Sequence, residues 1–215
     1  MGKLFHQIRK CLNPSCGFRF HNHTQTEQWI YCPKCGSVTD IIEAPYESMI
    51  GEHRTTDGLP VYEVVLDNIR SAYNVGSILR TADGTGFSHL HCCGITPTPD
   101  NPKVRKTALG AENNIPWTQY WNTLEAVDAL IQQGYTLIAL EGDQNAVSIF
   151  NVQNELSDVP LALIIGNEVS GIDPGALSKC THKIWLPMLG NKQSFNVSVA
   201  FGIAAYLLRF NKDIK

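Results

Sequence analysis

The first residues with recognisable chemistry in this chain are four cysteines near its N-terminus. Cys11 and Cys16 are separated by four residues. After 15 further residues, Cys32 and Cys35 form a C-x2-C pair that precedes Gly36. Two such turns can bring four thiolates onto one ion, and four cysteine sulfurs are a usual ligand set of structural zinc. The spacing therefore predicts a structural zinc site with no open position for catalysis.

Two other interpretations of the cysteines have to be weighed. They could be unpaired thiols or a redox pair. A disulfide framework is disfavoured by the odd total of seven cysteines and by our expectation that no secretion signal opens the chain. Alternatively, His6, His21 or His23 could replace a cysteine, although four cysteines already complete a tetrahedral shell. Surface positions are the ordinary interpretation of these histidines.

The segment around the cysteines is too small for an apolar core of its own, so a metal would have to stabilise it. We predict a zinc ribbon over 1–40, serving as an RNA-recognition appendage, and a linker over 41–60. One interpretation is that its basic and aromatic side chains form an RNA-contacting face. The other, equally open, is that the aromatic rings only cover the metal-binding turns. The residues concerned are Arg9, Lys10, Arg19, Lys34, Phe18, Phe20 and Trp29.

Three segments further along the chain combine polar residues with glycines. The first reads NVGSILR from Asn74 to Arg80, the second reads LIIGNEVSGI over 163–172, and the third carries LPMLG and SFNVSVA within 186–200. Two of them place Gly or Pro directly after a predicted strand, where ligands bind in open α/β sheets. None contains G-x-G-x-x-G or a Walker loop, so a dinucleotide or nucleoside triphosphate site has no support.

The elements that must position these segments alternate between strands and helices. The predicted strands cover 61–66, 90–94, 135–140, Leu161–Ile165 and 183–186. The predicted helices cover 74–85, 123–133, 174–180 and 198–210, with a Pro-rich loop over 95–102. Strands that alternate with helices indicate a mostly parallel sheet. The sequence therefore predicts an α/β domain over 61–215.

The composition is that of a folded protein and excludes several classes. Apolar residues make up 43% of the chain and charged residues 17%, which is globular and not disordered composition. The longest apolar runs are far shorter than the roughly 20 residues of a membrane helix. The net charge of −3 excludes a strongly basic nucleic-acid binder, so any RNA contact must be a local surface. We expect a soluble cytoplasmic protein with no membrane partner.

Taken together, the three segments closely resemble the three motifs of the SpoU (TrmH-like) branch of the SPOUT RNA methyltransferases. The resemblance runs from about 61 to 210, with the motifs in the family's order and approximate spacing. It implies a parallel sheet with a C-terminal trefoil knot, whose second and third motif loops form a pocket for S-adenosylmethionine (AdoMet). It also implies a homodimer with its active site near the subunit interface. The apolar helix 198–210 is an interface element, a core helix, or both.

The reaction that the resemblance implies is methyl transfer from AdoMet to a ribose 2′-hydroxyl of ribosomal or transfer RNA. Arg80 matches the family's arginine proposed to help activate that hydroxyl. We expect it to clamp the adjacent phosphate, because a guanidinium is a poor base. Asn74 is expected to cap its helix or to hold the substrate and Arg80. Glu168 is expected to pair with a basic residue or to orient the third-motif loop, although a plain ion pair is a rival interpretation. The matching residues that shape the site are Ser194 and Asn196.

The resemblance also assigns the AdoMet contacts. Gly166, Leu186 and Phe195 match positions that bind the cofactor largely through backbone groups, and Gly166 is expected to let it approach closely. Met188 and Leu186 are expected to flank the adenine. Leu140 either lines the same pocket or is a core leucine. Phe195 stands where the family commonly has leucine, so the pocket must accommodate a larger ring.

Two other functions compete with a methyltransferase of this kind. One is a non-catalytic RNA-binding protein that keeps the fold but not the chemistry. The complete set of polar motif residues argues against it. The other is a small-molecule methyltransferase, against which the cysteine ribbon and the family resemblance count.

Overall fold

A computed structural model describes residues 5–23, 30–47, 55–142, 146–152, 155–156 and 159–210. Contacts divide the chain into two compact units, Met1–Thr55 and Thr56–Lys215. Of the aromatic residues singled out in the ribbon, Trp29 lies outside the described residues. Within those residues, no helix has both the length and the apolar character needed to cross a membrane.

The N-terminal unit is a small antiparallel sheet in the order β2-β1-β3. Its strands are β1 (Phe5–Cys11), β2 (Arg19–His23) and β3 (Thr39–Glu47). The last strand corrects the predicted linker over 41–60, because residues 41–47 belong to β3. Pairing with β1 holds them in place, with Arg9 opposite Ile41 and Lys10 opposite Asp40. Residues 48–54 of the predicted linker lie outside the described residues.

The C-terminal unit contains a seven-stranded sheet in the order β6-β5-β4-β9-β7-β10-β8, with every recorded pairing parallel. The strands are β4 (Tyr62–Asp67), β5 (His89–Cys93), β6 (Trp117–Tyr120), β7 (Thr136–Leu140), β8 (Val147–Ser148), β9 (Leu161–Ile165) and β10 (His182–Trp185). The helices are α1 (Ala72–Gly84), α2 (Pro102–Ala108), α3 (Thr123–Gln132), α4 (Ile149–Val152), α5 (Pro174–Lys179) and α6 (Val197–Phe210). This confirms the predicted α/β class and parallel sheet. The trefoil knot stays a prediction.

Helices cover both faces of the parallel sheet. Successive side chains of a strand point to opposite faces. In β9, Leu163 belongs to one buried cluster with Phe201 of α6, whereas Ile164 belongs to a second cluster with Val127 of α3. A central strand buried on both sides needs apolar residues at every position. This explains the unbroken apolar run of Leu161–Ile165.

The helix α2 and the strand β6 were not predicted, and each has a local reason. α2 has only seven residues, too few for a periodic apolar pattern, and it begins at Pro102 after the N-cap Asn101. The Asn101 side chain accepts a hydrogen bond from the backbone N–H of Lys103 at 2.9 Å. β6 is an edge strand of four residues without a buried side chain. The predicted loop over 95–102 therefore ends in the first turn of a helix.

Glycine in the first motif makes room for α2. A Cβ atom at Gly76 would lie 2.1 Å from Thr107 Oγ1 and 2.3 Å from the carbonyl oxygen of Val104. Real Cβ contacts are not that short, so any other residue would push the two helices apart. The N-x-G pattern therefore fixes the position of α1, which carries Asn74 and Arg80.

Arg209 anchors the C-terminal end of α6. Its guanidinium donates hydrogen bonds to the carbonyl oxygens of Thr85 (3.0 Å), Gly86 (3.0 Å) and Pro60 (2.9 Å). It also stacks on the ring of Tyr62, with Cζ 3.7 Å from the ring centroid. The first motif lies within α1, and the third motif ends in the first turn of α6. This anchor therefore helps to set the position of the two motifs relative to each other.

Candidate active site

A cavity of about 630 Å³ opens beyond the carboxyl ends of β7, β9 and β10. Its walls are the segments that follow these strands, together with residues 193–197 and Ala200 of α6. This is where open parallel sheets bind ligands, and the volume is typical of small-molecule sites. The cavity is therefore the candidate cofactor site.

The structure brings most of the predicted site residues to this cavity. All five positions assigned to AdoMet line it, namely Leu140, Gly166, Leu186, Met188 and Phe195. Three of the predicted catalytic positions line it as well, namely Glu168, Ser194 and Asn196. Asn74 lies beside Glu168 in a shallow neighbouring pocket. The second and third motifs thus meet around one space, with the first motif at its edge.

Gly166 is required by the backbone of its own loop. A Cβ atom at this position would lie 2.4 Å from both the carbonyl carbon of Gly171 and the nitrogen of Ile172. The loop is closed by two backbone hydrogen bonds of 3.0 Å between Asn167 and Gly171. The close approach of residues 171–172 is thus a second reason for this glycine, and close approach of the cofactor stays a prediction.

Glu168 fastens the second motif to the connection between β4 and α1. Its carboxylate accepts hydrogen bonds from the backbone N–H groups of Arg70 (2.9 Å) and Ser71 (3.2 Å) and from Asn74 Nδ2 (3.0 Å). Burial acts to raise the pKa of Glu168, but these hydrogen bonds outweigh it and hold the pKa below its ordinary value. No basic side chain is recorded among these partners, and within the described residues Glu168 is linked to the third motif only through Asn74.

Asn74 links all three motifs. Its Nδ2 donates to Glu168, and its Oδ1 accepts a hydrogen bond from Asn196 Nδ2 at 3.2 Å. Asn196 Oδ1 in turn accepts from the N–H and the hydroxyl of Ser198 at the start of α6. The suggestion that Asn74 caps α1 is wrong, because the N-cap is Ser71. Asn74 is instead the bridge between the second and third motifs.

Arg80 does not lie at the cavity of its own chain. It is exposed on α1, six residues after Asn74, which places it about 240° around the helix from that side chain. The described residues that line the cavity do not include it. Its neighbour Thr81 faces α6, with Cγ2 3.7 Å from the Cβ position of Gly202. Arg80 is therefore exposed about 100° around α1 from the side that contacts α6.

Several polar residues of the site were missed. Asp67, almost fully buried at the end of β4, accepts hydrogen bonds from the backbone N–H of Asp173 (2.6 Å), from Asn68 Nδ2 (2.8 Å) and from the hydroxyl of Thr123. Glu141 follows β7 and accepts from the N–H of Ile172 at 3.1 Å. Both carboxylates thus hold the second-motif loop. Each of them directly follows a predicted strand, so a search for polar residues at strand ends would have found both.

In the N-terminal unit, the four predicted cysteines converge. Their sulfur atoms all lie within 4.8 Å of one another, with Cys11 and Cys35 at 3.4 Å and Cys16 and Cys32 at 3.9 Å. A tetrahedral ion with Zn–S bonds of about 2.3 Å would separate its sulfur ligands by about 3.8 Å. The donor set and its dimensions therefore fit zinc.

The basic residues of the ribbon do not share one face. Lys10 pairs with Arg19 on one side of the sheet, whereas Arg9 pairs with Phe20 on the other. Arg19 forms an ion pair with Glu43, and Arg9 donates hydrogen bonds to the side chain and backbone of Thr39. Phe18 stacks on Phe20 with ring centroids 5.8 Å apart. Arg9 and Lys10 therefore lie on opposite faces of the sheet, so the four predicted basic residues cannot all belong to one RNA-contacting face.

The parallel sheet, its covering helices and the cavity beyond the strand ends define an α/β domain of the SPOUT methyltransferase class. More narrowly, the chain belongs to the SpoU rRNA Methylase family, whose model matches residues 62–206. The resemblance seen in the three motifs is thereby confirmed. The match covers the described parallel-sheet unit and leaves the cysteine ribbon outside it.

Individual relatives agree with this assignment. A TrmH family protein of Staphylococcus haemolyticus is 31% identical over 163 residues, which are 76% of this chain and 64% of that protein. The chain thus spans less than two thirds of that relative. The AdoMet-bound rRNA methyltransferase structure from Sinorhizobium meliloti is 25% identical, with a TM-score of 0.67 over 71% of this chain and 57% of the other. The TrmH/SpoU tRNA modifying enzyme of A. aeolicus is 25% identical, with a TM-score of 0.63 over 71% of this chain and 75% of that one.

Proposed function

We propose that this protein transfers a methyl group from AdoMet to a ribose 2′-hydroxyl of a structured RNA, either ribosomal or transfer RNA. The observation that carries the proposal is the hydrogen-bonded chain Asn196–Asn74–Glu168, which joins the three motifs beside the cavity. Family membership supports an RNA substrate. The predicted cytoplasmic location is compatible with both kinds of RNA.

The residues around the cavity fit AdoMet. Leu140, Leu186, Met188 and Phe195 provide apolar walls suited to an adenine ring. The N–H groups of Asn167, Val169 and Ser170 are already bonded within the loop that begins at Gly166, so this loop offers mainly backbone carbonyl oxygens to the polar groups of a cofactor. AdoMet, when bound, supplies a methyl group on a positively charged sulfonium sulfur.

The polar residues then orient the RNA. The Glu168 carboxylate is held by three N–H donors, so we assign it a positioning role and not that of a general base. Ser194 and Asn196 lie at the cavity, where a hydroxyl and an amide can hydrogen-bond a ribose. Arg80 is assigned to the phosphate beside the reacting nucleotide, because a planar guanidinium binds phosphate with two hydrogen bonds. Positioning of the 2′-hydroxyl is thus the main contribution of the protein, and we assign to water the proton that this hydroxyl loses when its oxygen takes the methyl group and the sulfur–methyl bond breaks.

A homodimer would bring Arg80 to a cavity. α6 exposes Val199 and Tyr206, at 48% and 54%, on the helix whose first residues line the cavity and whose Gly202 faces α1. The exposed residues of α6 thus form a surface beside α1, the helix that carries Arg80. We assign this surface to the contact with a second copy, in which Arg80 of each chain serves the partner's cavity.

Light scattering should therefore report a mass near twice 23.8 kDa. Tyr206→Glu should shift the protein to the monomer and lower methyl transfer, since it places a charge in the apolar contact. Ile131→Glu, at a similarly exposed apolar position on α3, should leave the dimer intact. A wild-type monomer with full activity would contradict the shared site.

The ribbon is assigned a structural zinc held by Cys11, Cys16, Cys32 and Cys35. Native mass spectrometry should find one zinc per chain, and a Cys32→Ser/Cys35→Ser double variant should lose it. The N-terminal sheet should then lose its amide protection while the parallel-sheet unit keeps its melting temperature, because metal binding and folding are coupled in such modules. Cys180→Ser, in the other unit, should retain the metal. Metal-free wild-type protein, or a disulfide between Cys11 and Cys35, would refute the assignment.

Methylation mapping of total RNA tests the proposed substrate class. A deletion strain should lack a 2′-O-methyl group at one or a few nucleotides, and expression of the wild-type chain should restore it. Expression of the Cys32→Ser/Cys35→Ser variant should restore it poorly, because we assign the ribbon to RNA recognition. Unchanged 2′-O-methylation in the deletion strain would favour the non-catalytic RNA-binding alternative.

A further inference from the structure

The cavity carries an unbalanced charge. Its described lining contains two carboxylates, Glu141 and Glu168, and no lysine, arginine or histidine. Charges attract more strongly beside low-dielectric walls than in open water, so this lining favours a cation. The two carboxylates differ, however, in what already surrounds them.

The charge of Glu168 is largely used within the protein. Three N–H donors from the connection between β4 and α1 bind its two oxygens. Such hydrogen bonds stabilise the charged form and turn the carboxylate towards α1. Glu168 therefore contributes mainly to the shape of the loop.

Glu141 keeps one oxygen available. Oε2 accepts the N–H of Ile172 at 3.1 Å, and the Glu141 backbone N–H is bonded to the carbonyl of Ile184 at 3.0 Å. Gly171 makes room for the carboxylate, because a Cβ atom there would lie 2.6 Å from Oε2. Within the part of the chain that the structure describes, no donor is recorded for Oε1. The carboxylate is thus held in orientation on the cavity wall, and the described lining contains no cation to balance its charge.

From this arrangement we infer that Glu141 makes the cavity selective for a cationic cofactor. AdoMet has a positive sulfonium, whereas in its demethylated product, S-adenosylhomocysteine, the sulfur is a neutral thioether. The two ligands are otherwise nearly identical, so a carboxylate beside them distinguishes them by charge. Methyl transfer removes the attraction and so favours release of the product. The inference rests on the proposed function and gives it a specificity-determining residue.

Calorimetric titration of both ligands tests this role. Glu141→Gln removes the charge but keeps the size and a carbonyl oxygen that can accept the Ile172 N–H. We expect the affinity for AdoMet to fall about tenfold and that for S-adenosylhomocysteine to change by less than about twofold, since tenfold is the effect of a modest, partly screened charge interaction. The control Glu168→Gln should lower the affinities for both ligands by the same factor, because it loosens the second-motif loop.

The outcomes separate the inference from the proposed function. Equal losses for both ligands in Glu141→Gln, or an unchanged affinity for AdoMet, would overturn the charge-based role. Wild-type protein that binds neither ligand would instead refute the proposed function. If Glu141→Gln fails to fold by circular dichroism, added salt provides the test on wild-type protein. Salt should lower the affinity for AdoMet more than the affinity for S-adenosylhomocysteine. An equal salt dependence of the two affinities would overturn the inference.

Discussion

Arg80→Ala should lower the rate of methyl transfer by about a thousandfold while the affinity for AdoMet stays within about twofold of wild type. Arg80 is exposed on α1 and is not part of the described lining of the cavity, so its removal leaves the cofactor contacts in place. The loss falls on the reacting geometry, because a phosphate clamp acts when the 2′-hydroxyl is aligned. Arg80→Lys should recover little, since a point charge cannot reproduce the planar fork.

Single-turnover transfer of labelled methyl to RNA measures this rate, and calorimetry measures AdoMet binding. Lys179→Ala is the matched control, a partly exposed cation that pairs with Asp128 on the opposite face of the sheet. It should leave both quantities unchanged. Wild-type turnover in Arg80→Ala would show that the assigned role is wrong.

Mixing two inactive chains tests whether Arg80 acts on the partner's cavity. A dimer of one Arg80→Ala chain and one Gly166→Val chain holds one complete site if the arginine serves the other chain. Random mixing should then restore about a quarter of wild-type activity, as expected for a symmetric dimer. No recovery would place Arg80 at the cavity of its own chain.

Gly166→Val should abolish measurable AdoMet binding, a loss of at least about a hundredfold, and should lower the free energy of unfolding by about 2–4 kcal/mol. The new Cβ would lie 2.4 Å from backbone atoms of Gly171 and Ile172, which cannot yield as a side chain can. Displacing that backbone breaks the hydrogen bonds from Ile172 to Glu141 and from Asp173 to Asp67. The cavity wall would then move.

Gly190→Ala is the control for Gly166→Val. It lies in the third-motif loop, and a Cβ there would meet no atom within 4 Å. Its AdoMet affinity and melting temperature should match those of wild type. AdoMet binding by Gly166→Val at wild-type strength would contradict the loop-packing account.

The sequence predicted those features that local patterns determine. Leu161–Ile165 is predicted as a buried strand because a short, unbroken apolar run is typical of a strand that is buried on both faces. The cysteine spacing predicts the convergence of four sulfurs, because each pair is close in sequence and one tetrahedral ion would need both pairs. The cavity walls were found because the motifs follow strands, and parallel strands end at one edge of the sheet.

Contacts between distant segments could not be predicted in this way. Asn74 was suggested as a cap, but Ser71 takes that place, and Asn74 reaches Glu168, 94 residues away. Gly166 is predicted to contact the cofactor, but its packing against the backbone five residues further on has no signal in the sequence. The assignment of Arg80 to the active site rests on its motif alone, and the described residues that line the cavity of its own chain do not include it.

The central claim, methyl transfer to a ribose 2′-hydroxyl, is tested most directly by locating the transferred methyl group. RNA from a deletion strain is incubated with wild-type protein and AdoMet labelled on the methyl group, and is then hydrolysed in alkali. Alkaline cleavage needs a free 2′-hydroxyl, so a 2′-O-methyl nucleotide survives within a dinucleotide. We expect label in alkali-resistant dinucleotides, and we expect it to be lost with Arg80→Ala and with Gly166→Val. Label in mononucleotides that carry a methylated base would contradict it.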